Sequence, residues 1–262
     1  MVRPSSSPET SSRRHPIKIV TLDIETSPNL AYVWGMFKQN VGLTQLVETG
    51  EVMCFSAKWY GQEPVSFFSK HHHGKETMIE AAHEILDDAD AVIHYNGKRF
   101  DIPHLNREFL ENSLTPPSPY AQIDLLNVAK KQFRFTSNKL DHVAQQLGVG
   151  AKTSHTGFQL WIDCMAGDPV AWDLMKTYNC QDVVITEKVY DALLPWIPSH
   201  PNYRLYHGGT EDLCPNCGGS DLRKEGKAYT AQSVFQRFRC EDCGKWSRGN
   251  QRIDSSALTS VR

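Results

Sequence analysis

Two short repeats near the end of the chain, Cys214-Pro215-Asn216-Cys217-Gly218 and Cys240-Glu241-Asp242-Cys243-Gly244, restrict its folding more tightly than any other feature. The small residues of each CxxCG turn let backbone amides face the thiolates, and four such ligands close a tetrahedral site, with zinc favoured over iron. Tyr229 to Arg239 and Lys245 to Arg248 read as strands, so residues 212–249 are expected to form a zinc ribbon around one Zn²⁺ held by Cys214, Cys217, Cys240 and Cys243. A closed Cys₄ site keeps no open position, so this metal is structural and supplies folding energy that so small a core lacks. The other three cysteines, Cys54, Cys164 and Cys180, sit singly among apolar neighbours, as buried thiols do in a reducing compartment.

The rest of the 262 residues hold one larger domain, expected over 16–197. Residues 1–15, rich in Ser, Pro and Arg, read as a disordered leader, 198–211 as a linker and 250–262 as a flexible polar tail. Within the domain, Ile17 to Glu25, Val52 to Trp59 and Pro64 to Ser69 have strand character, the last two joined by a turn at Tyr60-Gly61-Gln62-Glu63. Helical spacing follows at Glu76 to Leu86, then a strand at Ala91 to Tyr95 and a helix from Ile102 to Leu110. Another strand and helix share Gln122 to Phe133, and short helices lie at Leu140 to Leu147 and Gly157 to Met165. A long helix from Pro169 to Leu194 ends at Pro195. Antiparallel strands followed by β–α alternation make an α/β fold, a mixed β-sheet flanked by helices.

Carboxylates recur at the points where this pattern places ligands. Asp23 and Glu25 alternate with Leu22 and Ile24 along the first strand, so both project to one side. Such a pair alone suits an exposed strand face. Asp101, in Asn96-Gly97-Lys98-Arg99-Phe100-Asp101-Ile102-Pro103, lies beyond the end of a strand, where α/β sheets bind ligands, although a helix cap explains it as well. Tyr178 and Asp182 are four apart on the apolar face of the long helix with Met175, Ile185 and Val189. A buried Tyr–Asp hydrogen bond would account for them, but an aspartate in such a stripe is costly without a partner. Together the four carboxylates can converge over one sheet.

These three segments resemble the three exonuclease motifs of the DEDD superfamily, in its tyrosine-containing branch. The stretch Asn96 to Pro103, the segment Ile123-Asp124-Leu125-Leu126 and the run Lys139 to Gly148 are similar to the exonuclease domain of family B DNA polymerases. The resemblance covers residues 16 to 196 and implies an RNase H-like fold and a free-standing 3′→5′ exonuclease of the kind encoded by bacteria and their phages. It implies two catalytic Mg²⁺ or Mn²⁺ ions: Asp23 would bridge both, Glu25 and Asp182 hold the ion that activates water, and Asp101 hold the ion nearer the leaving group. Tyr178 would orient the attacking water, since a hydroxyl with an ordinary pKa near 10 positions better than it abstracts protons at pH 7. In similar exonucleases residues matching Asn96 and Phe100 touch the 3′-terminal nucleotides, and the backbone around Thr26 and Ser27 would lie against the terminal sugar. The implied partners are single-stranded DNA or DNA 3′ ends, and a replicative polymerase. The same fold also hosts RNA exonucleases, structure-specific endonucleases and non-catalytic nucleic-acid binding factors.

A net charge of −2 argues against a protein that simply coats nucleic acid through bulk positive charge, but not against a nuclease. No apolar run reaches the ~18 residues of a membrane span and the N-terminus lacks a signal core, so the expected setting is the cytoplasm. Lys130 to Phe135 interleaves basic and aromatic residues, which suits either a single-strand track or a helix end with two core phenylalanines. His71-His72-His73 precedes Gly74 and is expected in a loop, because adjacent residues do not readily face one metal. His94, His104, His142 and His155 read as ordinary polar or core residues. The expected ribbon mixes Arg and Lys with Tyr229, Phe235, Phe238 and Trp246, which fits a nucleic-acid grip or a protein-docking module.

Overall fold

The computed structural model describes residues 17–151, 156–207 and 211–259. The expected leader and His155 lie outside them. Two compact units emerge, one spanning Lys18–Pro198 and one containing Ser199 onward.

The first unit opens with β1 (Ile19–Thr26), followed by two short strands, β2 (Leu30–Ala31) and β3 (Leu46–Glu48), which pair only with each other. Next come β4 (Val52–Trp59), β5 (Ser66–Ser69), α1 (Lys70–His73) and α2 (Lys75–Asp88). The remaining elements are β6 (Ala91–His94), α3 (Asp101–Glu111), β7 (Ala121–Asp124), α4 (Leu125–Gln132), α5 (Leu140–Leu147), α6 (Gln159–Met165) and α7 (Pro169–Leu193). The sheet runs β5-β4-β1-β6-β7, antiparallel on the β5 side of β1 and parallel on the other. This is the expected mixed sheet with flanking helices. The His71–His73 run departs from the loop expectation: Ser69 caps it by accepting the His72 N–H, which winds it into a single helical turn.

The alternation of β1 sends Val20, Leu22 and Ile24 to one face of the sheet. There they pack with Phe55 and with Met78, Ile79 and Leu86 of α2 and Leu105 and Phe109 of α3. On the opposite face Met53 and Cys54 of β4 meet Leu160, Trp172, Met175 and Tyr178 of α6 and α7. Each such side chain contributes about 1.5–3 kcal/mol when fully buried. Asp168 starts α7 by accepting the Val170 N–H, with Pro169 in the first turn, and Leu194–Trp196 closes it as a 3₁₀ turn.

A charged cluster fastens the start of β4. Glu51 receives Lys70 at 2.6 Å and Lys75 at 2.7 Å, while the wholly buried Glu108 carboxylate receives Arg107 and the Val52 N–H. Burial alone would push the Glu108 carboxyl up, but that hydrogen bond with Arg107 and Lys75 holds it below its ordinary value.

The second unit contains α8 (Tyr203–His207), β8 (Leu222–Tyr229), β9 (Ser233–Cys240) and β10 (Trp246–Ser255), in the sheet order β10-β9-β8. Three expectations are corrected here. The stretch read as linker, 198–211, carries α8, because the Tyr203 N–H donates to Pro215 O at 2.7 Å and its ring fills the space beside Gly218. Residues 250–255, read as tail, continue β10, with Arg252 opposite Phe235 and Asp254 opposite Val234. The strand expected over Tyr229 to Arg239 starts only at Ser233, as β9, and before the turn at Thr230–Gln232 lies β8, an unexpected strand with no legible apolar alternation in Leu222-Arg223-Lys224-Glu225-Gly226-Lys227.

Candidate metal centre and active site

Register places the carboxylates. Asp23 lies opposite Ser56 and Glu25 opposite Cys54, and both neighbours face α7, where Ser56 Oγ approaches Cys180 Sγ at 3.4 Å and Cys54 packs with Tyr178. Asp23 and Glu25 therefore project toward the helix that carries Asp182. Asp23, Glu25 and Asp182 each offer one oxygen within 4.8 Å of the others. Asp182 is 2% exposed, and a buried aspartate so close to two other carboxylates needs a cation or protons to offset repulsion. Hard oxygens in this number suit Mg²⁺ or Mn²⁺.

Asp101 arrives by a different route. Parallel pairing of β1 with β6 stops at Thr21 opposite Ile93, so the β1 edge beyond it has no strand partner. There the Ile24 N–H donates to Asp101 Oδ1 at 3.1 Å in a buried contact. Ile24 stands between Asp23 and Glu25, so this hydrogen bond holds the Asp101 carboxyl beside the strand that bears them. The helix-cap reading of Asp101 falls away, since Phe100 occupies the cap position and Asp101 is the first residue of α3. Burial pushes its carboxyl up to about 7, against the lowering effect of the Ile24 hydrogen bond. A bound cation would stabilise the ionised form.

The Asn96-Gly97 pair shapes the chain that delivers Asp101. Asn96 has φ 74°, which asparagine tolerates, and its N–H donates to Asp124 Oδ1 at 3.1 Å. A Cβ on Gly97 would lie 2.5 Å from His94 Cγ, so glycine alone fits. Asn96 is half-buried in this turn, whereas Phe100 is 40% exposed and edge-on to His104. Thr26 sits at the irregular end of β1 opposite Val52, half-buried. Tyr178 is 7% exposed, with Trp161 edge-on at 6.1 Å. In the Lys130 to Phe135 stretch, Phe133 and Phe135 are half-buried and Phe133 packs on Phe135 and on Trp196, which is 55% exposed, so these rings form a surface cluster outside the two cores.

Two contributors had no role assigned from the sequence: Asn179, and Asp124 of the segment that resembles family B polymerases. Asn179, wholly buried on α7, donates through Nδ2 to Asp23 Oδ2 at 2.8 Å and to Asp23 O at 3.3 Å. Its spacing of three from Asp182 was the available signal, a second polar residue in the apolar stripe. Asp124 ties the Asn96 turn to α4 by also accepting the Leu126 N–H at 3.1 Å. Its signal was a carboxylate closing a strand just before a helix.

In the second unit the four cysteines come together. Cys214 and Cys243 sulfurs are 3.6 Å apart, Cys217 and Cys240 sulfurs 3.7 Å, and all four lie within 4.8 Å. Tetrahedral zinc with Zn–S of about 2.3 Å requires sulfurs roughly 3.8 Å apart. The arrangement is thus compatible with a zinc ribbon. Burial pushes the Cys243 thiol up to about 11, a cost that a divalent cation offsets by taking the thiolate. Among the described residues no helix is long and apolar enough to cross a membrane.

Residues 20–194 match the model of the RNase H superfamily, and the chain belongs to that superfamily. Among solved structures its fold is similar to the family B DNA polymerase of the hyperthermophilic archaeon Pyrobaculum calidifontis, with a TM-score of 0.53 and 16% identity. That alignment covers 83% of this chain and 32% of the polymerase, so the chain spans about a third of that enzyme's length. No curated protein sequence matches the chain.

Proposed function

We propose that the chain is a metal-dependent 3′→5′ exonuclease of the tyrosine-containing DEDD branch, acting on single-stranded DNA or DNA 3′ ends, with a structural zinc ribbon. The observation that carries this reading is the convergence of Asp23, Glu25 and Asp182, with Asp101 hydrogen-bonded to the backbone between the first two. Asp23, Glu25, Asp182 and Asp101 would hold Mg²⁺ or Mn²⁺. When bound, such ions lower the pKa of water and offset negative charge on the leaving oxygen.

The protein's own groups supply the positioning. Asn179 restrains the carboxylate of Asp23 by donating to its Oδ2, beside Glu25 and Asp182. Tyr178, its ring held by Trp161 and the surrounding core, would direct the attacking water through its hydroxyl. Phe100, exposed beside Asp101, offers a ring on which the terminal base can stack, and Thr26 and the Asn96 turn would border the terminal sugar. Family B polymerases enter by analogy of fold, and association with a replicative polymerase belongs to this proposal.

The test is a 5′-labelled single-stranded DNA with Mg²⁺ or EDTA, comparing the parent with Asp182→Asn and Asp101→Asn. The expected result is a metal-dependent ladder shortening from the 3′ end, reduced on the order of 10²–10³-fold in each variant, as for loss of one charge-stabilising group. Internal cuts, or cleavage confined to a matching RNA, would replace the exonuclease or the DNA assignment. Binding of both strands without cleavage would remove the enzyme reading.

A further inference from the structure

Strand alternation gives the three-stranded unit one chemically distinctive face. On β9, Phe235, Arg237 and Arg239 share it, and on β10 Trp246 lies opposite Arg239, Arg248 opposite Arg237, and Arg252 opposite Phe235. The guanidinium groups lie against the rings: Arg248 is 4.1 Å from the Phe235 centroid, while Arg237 and Arg239 are 4.6 Å and 5.8 Å from Trp246. Arg237 is further pinned by donating Nε to Glu225 O at 2.9 Å. Stacked this way, the groups have little entropy left to lose on binding.

Charge on this face is not neutralised locally. Arg223 on β8 is paired with Glu225 at 2.7 Å and Glu241 at 3.2 Å. Among the described residues, no carboxylate comes within ion-pair distance of Arg239, Arg248 or Arg252. A chain of net charge −2 thus concentrates three unpaired guanidiniums around two aromatic rings. Beside them is an open depression of ≈ 610 Å³ lined by Phe235, Arg248, Gly249, Asn250 and Arg252. Trp246 is 43% exposed.

We propose that this face is a second nucleic-acid site that grips single strands, with phosphates on the arginines and unstacked bases on the exposed ring surface of Trp246 and in the depression beside Phe235. An acidic peptide would satisfy the charges but has no use for the rings, and a duplex conceals the base faces the rings require. The role of the grip in feeding substrate rests on the exonuclease reading; the binding itself does not.

The experiment measures binding of labelled dT20, rU20 and a 20-base-pair duplex to the full-length zinc-loaded chain carrying Asp182→Ala, which keeps the strands intact. Trp246→Ala and Arg252→Glu are introduced separately. Arg252 is exposed and enters none of the ring stacks, so its replacement does not disturb the sheet, and zinc content equal to the parent checks both variants. At least tenfold weaker binding of dT20 or rU20 in each variant is expected, with the logarithmic salt slope reduced by about 0.7 per lost phosphate contact. The polymer that responds more identifies the preferred sugar. Affinities within twofold of the parent for both single strands would overturn the proposal, and an equal loss for the duplex would overturn its stacking half. In the hydrolysis-competent chain, kcat/KM for dT20 relative to a dinucleotide should fall at least tenfold in both variants. If no substrate is hydrolysed, the exonuclease reading fails while the binding measurement still decides this one.

Discussion

Between Lys18 and Pro198, Leu22, Phe55, Met78 and Leu86 are wholly buried, and two helical layers cover the sheet. Among the described residues after Pro198 the buried ones are Cys214, Asn216 and Cys240, two of them members of the four-cysteine cluster. The first unit is held by apolar area, the second by the groups around a single point. That contrast separates what each can tolerate: the larger unit can carry costly charged groups because its core outweighs them, whereas the smaller one has no reserve once its centre is lost.

The sharpest way to break the comparison is to disable the four-cysteine cluster and the zinc proposed to sit in it. Chelation of zinc, or Cys240→Ser, should unfold the second unit outright, since structural zinc supplies roughly 10–16 kcal/mol in such modules. Limited proteolysis should then cut within 199–259 while the first unit keeps its melting transition; a joint collapse would merge the two units into one. The converse is Phe55→Ala, which removes a ring buried between β4 and the α2 layer and stacked on Phe68 at 5.3 Å. It should cost about 3–5 kcal/mol in the first unit's denaturant midpoint and leave zinc retention unchanged.

Smaller effects test how the first unit accommodates its site. Asp101→Ala should lose hydrolysis and also about 1–3 kcal/mol, because the Ile24 N–H is left buried and unpaired. Asp101→Asn keeps an acceptor there and should lose hydrolysis with stability equal to or above the parent, measured in urea without divalent ions. The smallest expected change is a pH dependence. The folded-state pKa of Glu108 is depressed, so its contribution is complete above its ordinary 4.5 and is lost as pH falls through the lower folded value. Glu108→Gln should therefore cost on the order of 1 kcal/mol at pH 7 and progressively less below pH 4, seen as converging urea curves.

Much of the first unit was readable because its strands and helices obey one period each. Val52–Trp59 and Leu140–Leu147 have the expected bounds. The second unit was less readable because β8 and the end of β10 pack little, so no apolar alternation marks them. Residues 27–51 were opaque in another way, since Tyr32, Trp34 and Phe37 are 78%, 99% and 82% exposed and hydrophobicity there does not report burial. In the site, spacing brought out the carboxylates and Tyr178. Of the partners that hold them, the Ile24 N–H reaches Asp101 through a long-range contact that no local pattern encodes, while Asn179 was marked only as a polar residue in an apolar stripe.

The hydrogen bond from Ile24 to Asp101 also bears on how descendants of such a chain would fall silent. A carboxylate whose work is confined to binding cations can drift away and leave a sound, inert copy behind. Asp101, apart from the cation role proposed for it, accepts a hydrogen bond at the sheet edge, so its loss to a residue without an acceptor is visible to selection on folding even after the chemistry has been abandoned. Retired copies should therefore lose Glu25, half-exposed on the strand, before Asp101, and retain an aspartate or asparagine at 101 long after they have stopped cutting anything.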